Sequence, residues 1–412
     1  MNNFLTDLPD KQTLLELYPK LETLSVNTHV HTPYSFSAFT DIAQIFEMAR
    51  KENISAVGIN DFFVTDGYEP FYQEARKAGI FPLFNIEFIS LLKPEQQQNR
   101  RVNDPNNPGR CYFSGKGLDY PFSVEVGLSD KLKRIVAASQ NQVRTMIHKT
   151  NDWFSTINAG IRFSYDEIRI RYAKELVRER HIAKAIRIAV FDKFNTDKER
   201  NALLADIFGG KTPKSQLTDI PGLENEIRSI LLKAGGTAFV EEDVNAFMNL
   251  EEVIEIIVNA GGIPCYPVLL DDKNGNYTEY EKNPERLWQE LSGRKIGCVE
   301  LIPGRNDASH LDKFVRFFHD KKFVILLGTE HNTPDMIPLT CDTRGKVPLS
   351  AEMQSISYEG TCVVAAHQYL RAKGQTGVID NHGTPKNAAR DSFVRLGNAV
   401  IHQYIHSYKR NH

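Results

Sequence analysis

His29 and His31 fall two residues apart in the stretch NTHVHTPYSF (residues 27–36), where the pattern reads as a β-strand. Strand side chains alternate between faces, so residues two apart share one. Two imidazoles side by side suit the first two ligands of a divalent metal; the alternative is a hydrogen-bonded pair of strand histidines. A metal that activates water needs further ligands converging from other strands, with a position left open for substrate. Suitable groups occur at strand ends along the chain. Asp61 closes AVGIND, Glu87 lies in IFPLFNIEF, Glu300 in GCVELIP, and the pair Glu330–His331 in KFVILLGTEHN. The candidate metal ligands are therefore His29, His31, Asp61, Glu87, Glu330 and His331, with Glu87 and His331 also the candidate catalytic groups. A carboxylate in an apolar run is costly unless paired, which favours ligation by Glu87. Asp61 has an equal alternative, capping the turn that follows it. Glu330 and His331 are neighbours and face one site only if their strand has already ended. For an anionic substrate, Arg305 in IPGRND and Arg110 and Lys116 in PGRCYFSGKG offer cationic forks and points suited to phosphate oxygens.

The elements that position these residues alternate. Strands at 24–31, 56–61 and 80–88 are separated by helical patterns, the first capped by Thr40 or Asp41 ahead of Ile42, Ile45, Phe46 and Ala49. The alternation returns after Asn249, which caps LEEVIEIIVNA, and continues through IPCYPVLL, helices near 284–292 and 309–320, and the strands holding Glu300 and Glu330. Strands alternating with helices imply parallel pairing, and six or seven such units close into a barrel with function at the C-terminal strand ends. Residues 93–122 are rich in Asn, Pro, Gly and Gln and read as a long loop. Residues 130–235 show helical periodicity only, and two long helices follow residue 350. The predicted architecture is α/β: a distorted (β/α)7 TIM-like barrel with a mainly helical insertion. Barrel segments span 1–129 and 246–349, a cap 130–245, and C-terminal helices 350–412.

The bulk properties narrow the function classes. With 41% hydrophobic and 25% charged residues over 412 positions, the composition is that of a globular protein. A net charge of −2 argues against stable, sequence-independent nucleic-acid binding, which needs a strong basic excess. No window of about 18 apolar residues is present, so no membrane span is expected. The start, MNNFLTDLPDKQ, lacks the basic and apolar regions of a signal peptide. The five cysteines are odd in number and none forms a CxxC, so neither a disulfide framework nor a zinc knuckle is expected. The expected location is the cytoplasm; assembly into a homo-oligomer stays open.

Taken in chain order, these segments resemble the PHP (polymerase and histidinol phosphatase) superfamily of metal-dependent phosphoesterases. NTHVHTPYSF, AVGIND, PLFNIEFIS, AGGIPCYPVL and LLGTEHNTP are similar to its successive motifs, and ERHIAKAI resembles the cap insertion of one branch. The resemblance implies a distorted (β/α)7 barrel, a site for zinc, manganese or iron, and hydrolysis of a small phosphorylated substrate. Several family positions are altered. The acid after His-x-His falls at Phe36, and the second motif's Asp-His is Asp61–Phe62. A histidine after the third motif falls at Cys111 or Tyr112, and the fourth motif's Ala-His-Pro is Cys265–Tyr266–Pro267. The last motif's Asp-x-His aligns on Glu330–His331–Asn332. His181 falls near an insertion histidine of the family, with Glu179 where an arginine is expected two residues earlier. Tyr266 would keep a pocket position, where a phenol can bond a phosphate oxygen or a metal-bound water. The expectation is one or two divalent ions and a metal-dependent hydrolase cleaving a phosphoester by activated water. The alternative is a degenerate barrel that binds a metal or ligand without catalysis. Amidohydrolases also begin with His-x-His, but their later single histidines have no counterpart in AGGIPCYPVL or LLGTEHN.

Overall fold

Seven strands form one sheet whose spatial order follows the chain: β1 (Val26–Val30), β2 (Ala56–Phe62), β3 (Phe81–Leu91), β4 (Arg110–Lys116), β5 (Ile263–Val268), β6 (Cys298–Leu301) and β7 (Val324–Leu327). The computed structural model describes residues 3–243, 246–272, 274–380 and 382–409. The expected segment boundary at 245 lies outside these residues, as do both chain ends. The sheet curls until β7 returns to β1: His29 O accepts from Glu330 N at 2.9 Å, and His31 N donates to Glu330 O at 2.8 Å. Closure needs a bare backbone at Gly328, where an added Cβ would come within 2.4 Å of the His29 Cβ. The architecture is the distorted seven-stranded TIM-like barrel expected from the alternation.

The segment 93–122 is a correction. Rather than one long loop, it holds the short helix Lys93–Gln97 and β4, which runs antiparallel between β3 and β5. Polar turn residues at 98–109 mask the short run RCYFSGK, whose partners are far away in sequence. The reversal places Arg110 at the barrel mouth and Lys116, beside Ile263, toward the opposite end.

In chain order the α-helices are α1 (Lys11–Leu17), α2 (Ile42–Lys51), α3 (Tyr68–Ala78), α4 (Lys93–Gln97), α5 (Val126–Thr156), α6 (Tyr165–Tyr172), α7 (Glu179–Lys193), α8 (Asp197–Ile207), α9 (Ile220–Ile227), α10 (Leu250–Asn259), α11 (Pro284–Gly293), α12 (Ala308–Asp320), α13 (Ala351–Ala372) and α14 (Arg390–Lys409). Asp41 caps α2 through the Ala43 amide, and Asn249 with Glu252 forms a capping box on α10. α13 and α14 close the end of the barrel where the parallel strands begin. Val26, Ala56, Phe81, Ile263 and Val324 share an apolar cluster there with Tyr358, Cys362 and Val400. Helices α5 to α9 enclose a core of their own, including Phe154, Ile186 and Leu204. Their chain meets the barrel mouth between α6 and α7, where Lys174 N and Leu176 N donate to Pro33 O and Tyr34 O.

Candidate metal centre

Strand register decides which side chains enter the barrel. Phe62, Glu87, Ser114, Cys265 and Cys298 are paired across β2 to β6 and therefore share a face. Glu87 faces the interior, as do Phe62 and Glu300, whereas Asp61 and Tyr266, one residue out of phase, do not. His29 and His31 join Glu87 from the neighbouring side. Their Nε2 atoms are 3.3 Å apart and lie 3.7 and 3.2 Å from Glu87 Oε2.

The hydrogen bonds behind these rings set their tautomers. His29 Nδ1 lies 3.0 Å from Glu300 Oε2, an acceptor only, so Nδ1 carries the proton. Asn60 Nδ2 lies against the side of the ring, 3.0 Å from His29 Nε2 and 3.3 Å from Nδ1, in line with neither nitrogen. Ser35 Oγ gives its proton to Asp61 and so accepts from His31 Nδ1 at 3.3 Å. Both Nε2 lone pairs consequently face Glu87 Oε2, a buried oxygen that receives no hydrogen bond among the described residues. With the Glu87 carboxyl ionised, three acceptors converge with a shortage of donors, in a site where an unsatisfied polar atom is costly. Burial lowers the His29 pKa to about 3 against the opposing pull of Glu300, and lowers that of His31 against Asp61. Burial, then the neighbouring Glu300, pushes the Glu87 carboxyl well above its usual range. Glu300 ends below its usual range because Lys116 and His29 outweigh its burial.

This donor set fits a divalent cation. Tetrahedral coordination with bonds of about 2.1 Å separates ligand atoms by about 3.4 Å, against 3.2 to 3.7 Å here. Among the described residues, His29, His31 and Glu87 are the group with this potential. Glu300 behind His29 supplies the outer carboxylate that typically orients a ligating imidazole.

The other candidates lie elsewhere. Asp61 accepts from Thr32 N, Thr32 Oγ1 and Ser35 Oγ at 2.8, 2.5 and 2.5 Å, holding the turn after β1. β7 has ended before Glu330 and His331, which adopt left-handed backbone angles (φ 67° and 55°). Even so, the two diverge. Glu330 pairs with Arg305 in the cavity wall. His331 takes the Thr329 hydroxyl on Nδ1 and the Ile337 carbonyl on Nε2, both at 2.8 Å, and stacks on Phe39. With both nitrogens occupied, His331 is neither ligand nor proton carrier at the cluster. Tyr266 donates to Glu281 at 2.9 Å on the outer face of β5. Lys116 is completely buried, donating to Glu300 at 2.5 Å and to Asn60 at 3.0 Å, so it meets no substrate. Arg110 does line the mouth, paired with Glu242.

Above the cluster lies a cavity of about 490 Å³. Sequence reading missed the groups that α7 brings to it. Arg178 lies over the Phe62 ring at 5.1 Å, and Phe62 in turn stacks on His31 at 5.0 Å. Arg180 donates to Asn225 at 2.9 Å and sits over Phe36 at 5.5 Å. Arg110, Arg228, Lys233 and Arg305 also line the cavity, each bound to a carboxylate. Among the described residues, Arg178 and Arg180 form no salt bridge, and burial with nearby Arg228 lowers the Arg180 pKa to about 10. Their only sequence signal was the basic balance of the segment. Asn60 and Ser114 gave less, because small polar residues inside strands have no distinctive spacing.

Parts of the chain are similar to known proteins. A family model for the PHP domain matches residues 27–205. A 63-residue stretch is 38% identical to DNA polymerase III subunit alpha of Saccharopolyspora erythraea, covering 15% of this chain and 5% of that much longer protein. The crystal structure of a proposed metal-dependent phosphoesterase from Bifidobacterium adolescentis superposes with a TM-score of 0.52. That alignment covers 82% of this chain and 96% of that one at 14% identity. An amidohydrolase from Chromobacterium violaceum, with bound sulfate and no metal, aligns at 17% identity over 81% of this chain and 96% of its own, with a TM-score of 0.49. No helix among the described residues is long and apolar enough to cross a membrane. Residues 27–205, the segment that carries His29, His31 and Glu87, match the PHP domain.

Proposed function

We propose that the protein is a metal-dependent hydrolase that cleaves a small phosphoester in the cavity above β1 and β3. The observation that carries this reading is the convergence of two imidazole lone pairs on the unpartnered, buried Glu87 Oε2. His29, His31 and Glu87 would hold one divalent ion, zinc, manganese or iron. When bound, such an ion lowers the pKa of a coordinated water toward neutrality and offsets charge on phosphoryl oxygens. The chain's own contribution is orientation and charge. Glu300 and Ser35 hold the two rings with their lone pairs inward. Arg178 and Arg180, the cavity cations without a carboxylate partner among the described residues, suit the anionic oxygens of substrate. Phe62 and Phe36 exclude water beside them. Arg305 is neutralised by Glu330 and contributes less.

The competing reading, binding without turnover, draws on Phe62: its ring faces the site beside Glu87, at the position aligned with a family histidine. A three-ligand site for one ion meets the minimum for metal-assisted hydrolysis, which favours catalysis. The test is elemental analysis and metal-dependent thermal shift of the purified chain, followed by a phosphomonoester and phosphodiester screen with added zinc, manganese or iron. Uptake of one ion with hydrolysis supports the proposal, and R178A or R180A should then raise KM by about tenfold or more. Absence of any ion uptake removes it; uptake with no turnover supports the competing reading.

A further inference from the structure

Among the described residues, the barrel interior contains a fully buried ion pair, Lys116–Glu300, that the proposed chemistry does not use directly. Resting on the metal reading above, we propose that Lys116 is a positioning residue: by gripping Glu300 and Asn60 together, it fixes His29 in the Nδ1–H tautomer and aims its Nε2 lone pair at the ion.

The contacts around Lys116 carry this. Lys116 Nζ donates to Glu300 Oε2 at 2.5 Å, the same oxygen that accepts from His29 Nδ1 at 3.0 Å. Glu300 Oε1 is taken by the Ser114 hydroxyl at 2.6 Å, so the carboxylate is held at both ends. The second arm runs through Asn60, whose Oδ1 accepts from Lys116 at 3.0 Å. An ammonium has donors only, so the Asn60 amide turns its Nδ2 the other way, against the side of the His29 ring, 3.0 Å from Nε2 and 3.3 Å from Nδ1. One cation therefore orients both the carboxylate that accepts from Nδ1–H and the amide that packs on the ring. The carboxylate arm sets the tautomer, and the Nε2 lone pair is left free.

A purely structural role explains less. A buried ion pair contributes little net stability, and an apolar pair of similar volume is often as good or better. Orienting His29 is a task that an apolar pair would not perform. Lys116 is positioned to do so because β4 runs antiparallel, bringing its last residue beneath the cluster rather than to the mouth.

The test uses the full chain, freed of metal by chelation and labelled with ¹⁵N-histidine. Long-range ¹H–¹⁵N spectra report the tautomer of each ring, and H29Q identifies the His29 signals. Wild type should show Nδ1–H at His29, and K116M a mixture or Nε2–H. Zinc affinity, measured by competition with a chelating dye, should fall at least tenfold in K116M, in line with other outer-shell groups. Because K116M strands Glu300, the double variant K116M/E300M is the decisive control. It should regain the melting temperature of wild type yet keep the weakened zinc affinity and the lost tautomer. Nδ1–H persisting at His29 in both variants, or wild-type zinc affinity in the double variant, overturns the proposal. Should wild type bind no zinc, the metal reading fails, while the tautomer comparison still decides the role of Lys116.

Discussion

Two regions of this barrel present the same residue types at strand ends and do opposite things with them. On β1 and β3, His29, His31 and Glu87 turn toward one another and leave lone pairs and a carboxylate oxygen without adequate donors. After β7, Glu330 and His331 are fully engaged, one with Arg305 and the other with Thr329 and Ile337. A metal site is thus recognised by unspent valence rather than by a count of histidines and acids. The first region has valence to spare; the second has used it on the fold.

The largest test of this contrast is E87Q. It should weaken zinc or manganese binding by at least ~100-fold, beyond the 10- to 100-fold typical of outer-shell changes. The same substitution removes a buried carboxyl oxygen that lacks a donor, so the metal-free variant should be more stable than wild type by about 1 kcal/mol. Calorimetric titration and metal-free urea unfolding check both. Loss of affinity together with lower metal-free stability would assign Glu87 to the fold and erase the contrast.

A distant histidine extends the contrast to pH. At the closed end of the barrel, His367 Nε2 donates to Gly261 O at 2.5 Å, while Nδ1 accepts from Val378 N at 3.0 Å. Burial lowers its pKa from 6.5 to about 4. The unfolded chain therefore takes up a proton first as pH falls below 6.5, so stability should decline from there to about pH 4. The decline from this residue amounts to at most about 3 kcal/mol. Urea unfolding at several pH values should show a shallower fall in H367Q, and an unchanged slope would remove His367 from the class of fully engaged histidines.

H331Q should cost about 1–3 kcal/mol of stability through its two buried hydrogen bonds while leaving zinc affinity within about twofold. Affinity lost in proportion to stability would return His331 to the metal centre. The smallest effect belongs to R305A. Its side chain is 47% exposed, and such pairs are worth roughly 0–1 kcal/mol. Thermal unfolding should barely change, and metal affinity should stay as in wild type.

Much of the architecture was legible because it rests on local regularities. Alternating strand and helix patterns, the caps at Asp41 and Asn249, and apolar runs of strand length require no knowledge of partners. β4 was hidden because an antiparallel strand inside a polar, Pro- and Asn-rich segment is defined by its distant neighbours. Lys116 was misplaced with it, as a loop cation free to meet phosphate. Tyr266 failed for a different reason: its sequence position is that of a family ligand, but register turns it outward. Phe62 shows the converse, since the aligned histidine position faces inward and now carries an apolar ring over His31.

By itself, the sequence determined the barrel and the shared face of His29 and His31, because strand periodicity and His-x-His spacing are properties of neighbouring residues. It also placed carboxylates at strand ends. Only the tertiary structure decided which of those carboxylates remained available. Availability depends on donors contributed by residues far away in the chain: Ser35 and Thr32 for Asp61, Arg305 for Glu330, Lys116 and Ser114 for Glu300, and none for Glu87 Oε2. A free lone pair is what remains after every other partner has been assigned, and those assignments exist only once the barrel has closed.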